Sequence, residues 1–351
     1  MNLYDLGRVP WLESQLIYHV FPRLGMEGLI LLAPAEPYVC IGYHQDAEQE
    51  VDLAYCREHD IPVFRREVGG GAVYLDGQQL FYQLIIHRDN SLAPRDRVEF
   101  YRTFLAPVAQ SYRDLGVEAH YRPVNDILTQ AGRKISGTGA AEIDDYAVLV
   151  GNLIADFDYE TMVRVLRVPD AKFRDKVFKS LRENLTTLHR ELGQTPSWQT
   201  MVDTLARNFG SVLGPLTPTE LPDSVKEKVA ELAQTHTTEE WLLAPRRRFR
   251  EDRKVKIAEG VEVVQRVHKA PGGLIRGTVE TQHGKIVAVG LSGDFFFYPA
   301  DKLADMERAL VGIKMAELPH VLEEYYRTNA IESPGLTPED LAVALGAASA
   351  R

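Results

Sequence analysis

Hydrophobic positions near the start of the chain form short apolar runs that alternate with segments of helical spacing. The runs GLILLA (28–33) and YVCIG (38–42) predict buried strands, and IPVFRR (61–66) predicts a strand that continues toward consecutive glycines. Helical spacing extends over residues 11–23 and again over VDLAYCREH (51–59). The beginning of the chain is therefore expected to contain both strands and helices.

The following segments predict a sheet interrupted by a long helix. AVYL, the dipeptide Asp-Gly at 76–77 and LFYQLIIH (80–87) are typical of a β-hairpin, because Asp-Gly between β-rich runs favours a tight turn. Amphipathic helices are predicted over 98–116 and 158–168. Between them lie the strand candidates VEAHYR, NDIL, KISGTG and YAVLVGNLIADF. The whole pattern predicts an α+β fold, a mixed sheet with segregated helices.

The character of the sequence changes after residue 213. GPLTPTELPD (214–223) is rich in Pro and Thr, which is typical of a linker. We therefore expect two domains, residues 1–213 and residues 224–351, the second being a small α/β domain. Its predicted elements are a helix near 224–234, strands at 261–268, 274–281 and 285–291, and helices near 301–311 and 315–327.

Composition and charge narrow the class of protein. Of 351 residues, 45% are apolar and 26% are charged, which is ordinary for a soluble globular protein. The formal net charge of -10 disfavours attraction of the whole chain to nucleic acid or to an anionic membrane. No segment approaches the ~20 apolar residues that cross a bilayer, and the N-terminus lacks a signal-peptide pattern. We expect a cytoplasmic protein with neither nucleic-acid nor membrane partners.

The two cysteines, Cys40 and Cys56, are not spaced as a CxxC motif and have no His/Cys cluster around them. A disulfide framework and a zinc site are therefore poorly supported. Buried thiols that behave as small apolar residues are the expected outcome for both positions.

The stretch RREVGGGAVYLDG (65–77) sets a charged pair before three glycines. Without Cβ atoms, the glycine backbone accepts close contact from another chain or a phosphate, and its amides favour an anion. Arg66 adds a planar cation that suits carboxylate or phosphate. The spacing fits neither a P-loop nor a dinucleotide-binding motif. A ligand cradle and a loop tip with two solvated arginines both remain open.

A second candidate stretch is NDILTQAGRKISGTGAAE (125–142), in which Lys134 lies between glycines and β-forming residues. A lysine held there is suited to contact a developing negative charge on an acyl carbonyl, a carboxylate or a phosphate. The alternative is an edge-strand lysine that discourages aggregation. The third stretch, KFRDKVFKSLRENLTTL (172–188), repeats basic residues at helical spacing. It is either a solvated basic helix face or a mobile segment that closes over phosphates.

These three stretches, taken together and in this order, resemble the lipoate–protein ligase family, which is grouped with biotin ligases and octanoyltransferases. The matching motifs are RREVGGGAVYLD (65–76), ND (125–126), GRKISG (132–137) and KVFKSLRENL (176–185). The resemblance covers about the first 200 residues. The tail, over residues 273–312, resembles the small accessory domain of the bacterial ligases. The implied fold is the mixed-sheet catalytic domain of the biotin/lipoate ligase type.

The resemblance implies an ATP-dependent lipoate–protein ligase. Lipoate or octanoate would react with ATP and Mg²⁺ to give an acyl-adenylate, and a lysine of a lipoyl carrier domain would then accept the acyl group. Implied carriers are the lipoyl domains of 2-oxoacid dehydrogenase E2 subunits, the H protein of glycine cleavage, or a related carrier. Lys134 would be the catalytic residue. Substrate and ATP would be bound by Arg66, Gly69, Gly70, Gly71, Ala72, Asn125, Asp126, Ser136, Gly137, Lys176 and Lys179, and Asp126 would orient metal-bound phosphate.

Two alternatives remain within the resemblance. Octanoyltransferases of this superfamily use a cysteine near or after the catalytic lysine, whereas both cysteines here precede the glycine motif. A non-catalytic lipoate-binding homologue is suggested by two departures: Leu75 replaces a common histidine, and VGN (150–152) replaces a common HGT triplet. The basic run RRRFREDRKVK (246–256) either faces an acidic acceptor or forms a charged surface.

Overall fold

The computed structural model describes residues 1–168, 170–244, 254–258 and 261–347. The strands are β1 (Asn2–Val9), β2 (Gly28–Pro34), β3 (Tyr38–Ile41), β4 (Val63–Arg65), β5 (Val73–Leu75), β6 (Gln79–His87), β7 (Ala119–Arg122), β8 (Asp126–Thr129), β9 (Lys134–Ser136), β10 (Thr138–Ile143), β11 (Tyr146–Ile154), β12 (Thr217–Pro218), β13 (Lys254–Ala258), β14 (Val261–Ala270), β15 (Gly273–Gln282) and β16 (Lys285–Gly293). The helices are α1 (Trp11–Arg23), α2 (Ala47–Glu50), α3 (Leu53–Glu58), α4 (Arg97–Asp114), α5 (Tyr159–Val165), α6 (Ala171–Asn184), α7 (Leu188–Leu192), α8 (Trp198–Leu213), α9 (Asp223–His236), α10 (Glu239–Leu243), α11 (Lys302–Ala309), α12 (Leu318–Thr328) and α13 (Pro338–Ala344).

The chain divides into two units that do not follow a single cut in the sequence. The first unit contains Met1–Cys40, Val51–Glu67 and Val73–Leu242. The second contains Ile41–Glu50, Val68–Ala72 and the described residues from Leu243 onward. The second unit thus includes the glycine-rich loop as well as the C-terminal part of the chain. The predicted domain boundaries at 213 and 224 stay a prediction.

A six-stranded mixed sheet organises the first unit, in the order β10-β11-β6-β2-β1-β12. β1 runs parallel to both β2 and β12, whereas the β2–β6, β6–β11 and β11–β10 pairs are antiparallel. Every residue of β2 is buried, as expected for a continuous apolar run inside a covered sheet. Two three-stranded sheets, β4-β3-β5 and β7-β8-β9, complete the strands of this unit. The prediction of an α+β fold is confirmed.

The main core of the first unit lies between this sheet and the helices α4 and α8. Phe100, Phe104 and Tyr112 of α4 and Phe209 of α8 join strand residues such as Leu84 in one buried cluster. Asp96 caps α4 by accepting a hydrogen bond from the amide of Glu99, which satisfies one of the open donors of the first turn. The predicted helix over 98–116 is confirmed.

The predicted hairpin around Asp-Gly 76–77 is wrong, although both of its strands exist. β5 pairs with β3, and β6 lies between β2 and β11 in the central sheet. β6 is buried from Gln79 to Ile86, so this long apolar strand makes its pairs on both sides inside the sheet. The Asp-Gly pair determines only the local turn of the backbone. Which strands pair with each other depends on the burial of each whole strand.

The second unit contains an antiparallel sheet in the order β13-β14-β15-β16, with a core of its own. Buried and half-buried residues alternate along β15, which places one face of the sheet against helices α11, α12 and α13. The three predicted strands and the predicted helices near 301–311 and 315–327 are confirmed. The helix predicted near 224–234 also exists, as α9, but it lies in the first unit. Helix α13 was not predicted, although Thr337 and Asp340 form a capping box at its start. Within the described residues, no helix has the length and apolar character needed to cross a membrane.

Candidate active site

Lys134 opens the short strand β9, whose backbone is fixed from several directions. Leu128 of β8 is its partner across the antiparallel ladder. On the other side, the amide of Thr186 donates to the carbonyl of Lys134 over 2.8 Å. The hydroxyl of Tyr112 donates to the carbonyl of the next residue, Ile135, over 2.5 Å. A rigid backbone therefore carries Lys134, which matters because a site on fixed strands holds its groups more accurately than one on loops.

The side chain of Lys134 is partly exposed and forms an ion pair with the carboxylate of Asp126. Its Nζ lies 2.9 Å from Oδ1 of Asp126, and 38% of the lysine side chain is exposed. Arg122 holds the other carboxylate oxygen, with 2.6 Å between Nη2 and Oδ2. Burial raises the pKa of Asp126, but Lys134 and Arg122 outweigh it and the net effect lowers that pKa. The ammonium and the carboxylate thus form one accessible charged pair.

Both oxygens of Asp126 already have cationic partners, Lys134 and Arg122. The role in orienting metal-bound phosphate that the resemblance implies for Asp126 stays a prediction. In the parts of the chain that the structure describes, no cluster of three or more His, Cys, Asp or Glu side chains is arranged to hold a metal ion.

Asn125 and Thr138 join the beginning of β8 to the beginning of β10. The side-chain amide of Asn125 donates from Nδ2 to the backbone carbonyl of Thr138 over 2.7 Å. The Thr138 hydroxyl donates in return to the backbone carbonyl of Asn125. Asn125 is predicted to bind the acyl group or a phosphate. In the structure, its side-chain amide instead stabilises the loop next to Asp126. Its predicted ligand contact stays a prediction.

Ser136, Gly137 and Asn152 form a second hydrogen-bonded group on β9 to β11. The Ser136 hydroxyl donates to the Asn152 carbonyl over 2.6 Å, and the Gly137 amide donates to Oδ1 of Asn152 over 2.8 Å. Nδ2 of Asn152 in turn donates to Oε1 of Gln79 over 2.7 Å. Asn152 is only 7% exposed, so its amide acts inside the sheet. In the sequence, Asn152 differs from the HGT triplet that is common in the family. Its contacts were not predicted, because Gln79 is distant along the chain.

The two arginines before the glycines have different surroundings. Arg65 is 1% exposed and donates from Nη2 to the carbonyl of Leu242 over 2.8 Å, which makes it a structural residue. Arg66 is half-buried and lies against Cys40, with 3.3 Å between Nη1 and the Cys40 carbonyl oxygen. Of the two, Arg66 is the more exposed arginine, and its predicted contact with a ligand stays a prediction.

Glu67, the next residue, anchors this stretch to two helices. Its carboxylate accepts from Arg23 of α1 over 2.8 Å and from His236 of α9 over 2.8 Å. Its amide donates to Nε2 of His19 over 3.2 Å. Burial raises the pKa of Glu67, but the neighbouring cationic and imidazole groups outweigh burial and lower it to about 2. Burial lowers the pKa of His19 to about 3, so this imidazole is neutral at pH 7.

Both cysteines are buried thiols, as expected. Burial raises the pKa of Cys40 although Arg66 opposes the shift. Burial likewise raises the pKa of Cys56 to about 11. Because the thiolate is the nucleophile, these environments disfavour a covalent thiol route at neutral pH.

The glycine-rich loop belongs to the second unit, where the chain around Phe295 packs on it. The Gly70 amide donates to the Phe295 carbonyl over 3.2 Å, and Gly70 has a φ of +93°. A Cβ on Gly69 would lie 2.7 Å from that carbonyl oxygen, whereas the nearest neighbour of one on Gly71, among the residues that the structure describes, is Asp294 at 3.7 Å. Gly69 is therefore required by packing, and Gly71 has room for a small addition. Ala72 follows directly and is half-buried.

The third predicted stretch forms the regular helix α6, which has no buried residue. Lys172, Lys176 and Lys179 are exposed, while Val177 and Leu181 are half-buried on another side of the helix. Both alternatives for this segment, a solvated face and a phosphate-binding element, fit a helix with outward lysines. Of the basic run at 246–256, residues 246–253 lie outside the described part of the chain.

The first unit thus combines a mixed sheet with a lysine on a short strand beside an ion-paired aspartate, and its solved neighbours include lipoate ligases. Residues 12–210 match the family described as lipoyl protein ligase A/B catalytic domain. The chain belongs to this family.

Relatives and solved structures agree with that assignment. Lipoate-protein ligase A subunit 1 of Thermoplasma acidophilum is 31% identical over 242 residues, covering 65% of this chain and 88% of the relative. A structure from an archaeal lipoylation system of that organism, a bipartite lipoate protein ligase and its E2 lipoyl domain, has a TM-score of 0.63 and 28% identity, covering 70% of this chain and 97% of its own.

Two further matches are a solved ligase structure with a bound nucleotide and a relative with a different named activity. A crystal structure of lipoate-protein ligase A bound with ATP has a TM-score of 0.58 and 26% identity, and covers 69% of this chain and 98% of its own. Octanoyltransferase LipM of Kyrpidia tusciae is 26% identical over 227 residues, covering 58% of this chain and 82% of the relative. The relatives therefore include both lipoate ligases and octanoyltransferases.

Proposed function

We propose that this protein is an ATP-dependent lipoate–protein ligase, which activates lipoate or octanoate as acyl-AMP and transfers the acyl group to a lysine of a lipoyl carrier domain. The observation that carries the proposal is the ammonium of Lys134, fixed on β9 and accessible beside Asp126. ATP and lipoate are suggested by the ATP-bound relative and by the names of the ligase relatives. The E2 lipoyl domain of the archaeal system suggests the class of carrier.

Lys134 is suited to both half-reactions because each one moves negative charge near one point. In the first, a carboxylate oxygen of the acid attacks the α-phosphorus of ATP, and pyrophosphate leaves with the electrons of the broken P–O bond. Lys134 offsets the charge of the two approaching anions, for which a preorganised cation is effective. Asp126 keeps the ammonium oriented until a substrate anion shares it.

In the second half-reaction, the carrier's lysine amine attacks the acyl carbon and AMP leaves with the electrons of the broken C–O bond. Lys134 then stabilises the oxyanion that forms on the acyl oxygen. The attacking nitrogen loses one proton to solvent or phosphate. The activated mixed anhydride removes the need for a protein nucleophile, in agreement with the raised pKa of both thiols.

The other two interpretations become outcomes of the test. An octanoyltransferase would transfer an acyl group without ATP and through Cys40 or Cys56, neither of which has a thiolate-favouring environment. A non-catalytic homologue would bind lipoate without turnover.

The proposal is tested with lipoate, MgATP and a panel of lipoyl domains. Pyrophosphate release is measured enzymatically, and acylation is read from the mass of the carrier. We expect lipoate-dependent release that falls by at least about 100-fold in Lys134→Ala. Lys226→Ala, on the exposed surface of α9, is the matched control and is expected to retain activity. Undiminished release by Lys134→Ala would show that another group performs the catalysis.

A further inference from the structure

Glu191 lies in α7, outside all three motif stretches, but its carboxylate joins the two segments that hold Lys134. We propose that Glu191 is a positioning residue for Lys134, acting through Arg133 and Thr186. The inference rests on the proposed role of Lys134 and extends it to the side chains that fix this strand. We call Arg133, Glu191 and Thr186 the β9 clamp.

The β9 clamp converges on one carboxylate oxygen. Nη2 and Nε of Arg133 donate to Oε1 of Glu191 over 2.7 and 3.2 Å. The hydroxyl of Thr186 donates to the same oxygen over 2.5 Å. Thr186 is fully buried, and only 17% of the Glu191 side chain is exposed. Charge-assisted hydrogen bonds in such partly desolvated surroundings are stronger than neutral ones.

Both donors of the β9 clamp are attached directly to the backbone of Lys134. Arg133 is the preceding residue in the chain. Thr186 donates its amide to the Lys134 carbonyl over 2.8 Å, and Leu185 forms a parallel bridge with Lys134. Glu191 therefore holds together the two backbone segments that meet at Lys134. Its loss would leave the buried Thr186 hydroxyl and the Arg133 guanidinium without this acceptor.

The same junction is the end of the basic helix α6. Leu185 is its C-cap, and the Leu185 carbonyl accepts from Tyr159 over 3.2 Å and from Arg190 over 3.2 Å. Glu191 is also tied to this turn, because its amide donates to the Thr187 carbonyl over 3.1 Å. A displacement at the end of α6 would thus be transmitted to the backbone of Lys134, and Glu191 limits that displacement.

The kinetic test compares Glu191→Ala and Glu191→Gln with Glu227→Gln, an exposed carboxylate of α9 that serves as the matched control. Misplacement of a catalytic group by about 1 Å costs up to about 100-fold in rate. We expect kcat for lipoate-dependent pyrophosphate release to fall at least about 10-fold in Glu191→Ala, with KM for ATP within about 2-fold of the wild type. In a Lys134→Ala background, Glu191→Ala should add less than about 2-fold. A full additional loss in that background would overturn the inference.

A second measurement does not depend on ligase activity. Limited acetylation with acetic anhydride, followed by peptide mass spectrometry, reports the reactivity of the Lys134 amine relative to Lys226. We expect Lys134 to react several-fold faster in Glu191→Ala, because its pairing with Asp126 is loosened, to change less in Glu191→Gln, which keeps the acceptor oxygen, and to be unchanged in Glu227→Gln. Absence of lipoate-dependent pyrophosphate release from the wild type would reject the proposed function alone. Unchanged Lys134 reactivity in folded Glu191→Ala would reject the β9 clamp alone.

Discussion

Two glycines of the same motif are expected to respond in opposite ways to the addition of one methyl group. In Gly69→Ala, the new Cβ would lie 2.7 Å from the Phe295 carbonyl oxygen and 3.0 Å from a ring carbon of Phe296. The first of these neighbours is backbone and cannot rotate away, so the loop or the segment around Phe295 must shift. Overpacking of this kind costs about 1–3 kcal/mol. We expect Gly69→Ala to lower stability measurably.

In Gly71→Ala, the new Cβ would lie in ordinary contact with Asp294, at 3.7 Å, and Gly71 does not have a positive φ. Its effect on stability should stay within about 0.5 kcal/mol. If an acyl-adenylate packs against this backbone, the same methyl group occupies space that the ligand needs. We therefore expect Gly71→Ala to reduce lipoate-dependent pyrophosphate release at least about 10-fold, chiefly through a higher KM for lipoate.

Scanning calorimetry and pyrophosphate release, measured on the same preparations, separate the two effects. A loss of about 2 kcal/mol lowers Tm by at least about 4 °C in a domain of ordinary size, which calorimetry resolves readily. Equal losses of Tm in the two variants would refute the packing argument for Gly69. Full activity of Gly71→Ala at low lipoate concentration would refute the ligand-cradle interpretation of the motif.

Three further predictions concern the charged and polar groups around the site. Asp126→Asn removes the carboxylate that orients Lys134 and should lower kcat about 10-fold in the pyrophosphate assay with little change in Tm, whereas an unchanged kcat would show that the pair is incidental. Asn152→Ala removes the acceptor of the Gly137 amide and should cost about 1–3 kcal/mol in urea unfolding, and Asn152→Asp should not restore stability because it would bury a carboxylate against the Gln79 side-chain oxygen. Because the folded-state pKa of His19 is about 3, below its unfolded value near 6.5, its contribution to stability is complete above pH 6.5 and is lost as the pH falls toward 3. We expect the free energy of unfolding to decline by up to about 1.4 kcal/mol per pH unit in this window, and His19→Gln to flatten that slope between pH 5 and 6.5; an identical slope in the variant would contradict a neutral buried imidazole.

Local sequence patterns predict most helices and strands and the motif residues. Contacts between residues that are distant along the chain explain the features that those patterns do not predict. Helix α4 follows from its spacing and its Asp96 cap, both of which act within one segment. The Asp-Gly turn, in contrast, indicated a hairpin whose strands pair elsewhere, since register and partner are chosen by burial in the completed sheet.

In the candidate site, too, some features follow from local sequence and others from contacts between distant residues. Motif order predicts Lys134 and Arg66 as site residues, whereas the ion pair of Asp126 with Lys134 depends on pairing between β8 and β9. Glu191 carries no motif signal, because its importance comes from Arg133, which is distant along the chain. The reason for Gly69 is likewise found in Phe295, far beyond the motif.

The composition of the second unit has a consequence for expressing this protein in pieces. Ile41–Glu50 and Val68–Ala72 belong to that unit although they are translated long before the rest of it. On the ribosome, these two segments must wait for the C-terminal sheet to emerge before they make their native contacts. A gene divided within 214–223 would therefore yield a C-terminal fragment that lacks part of its own structure, and recovery of the native protein would require the two products to reassociate.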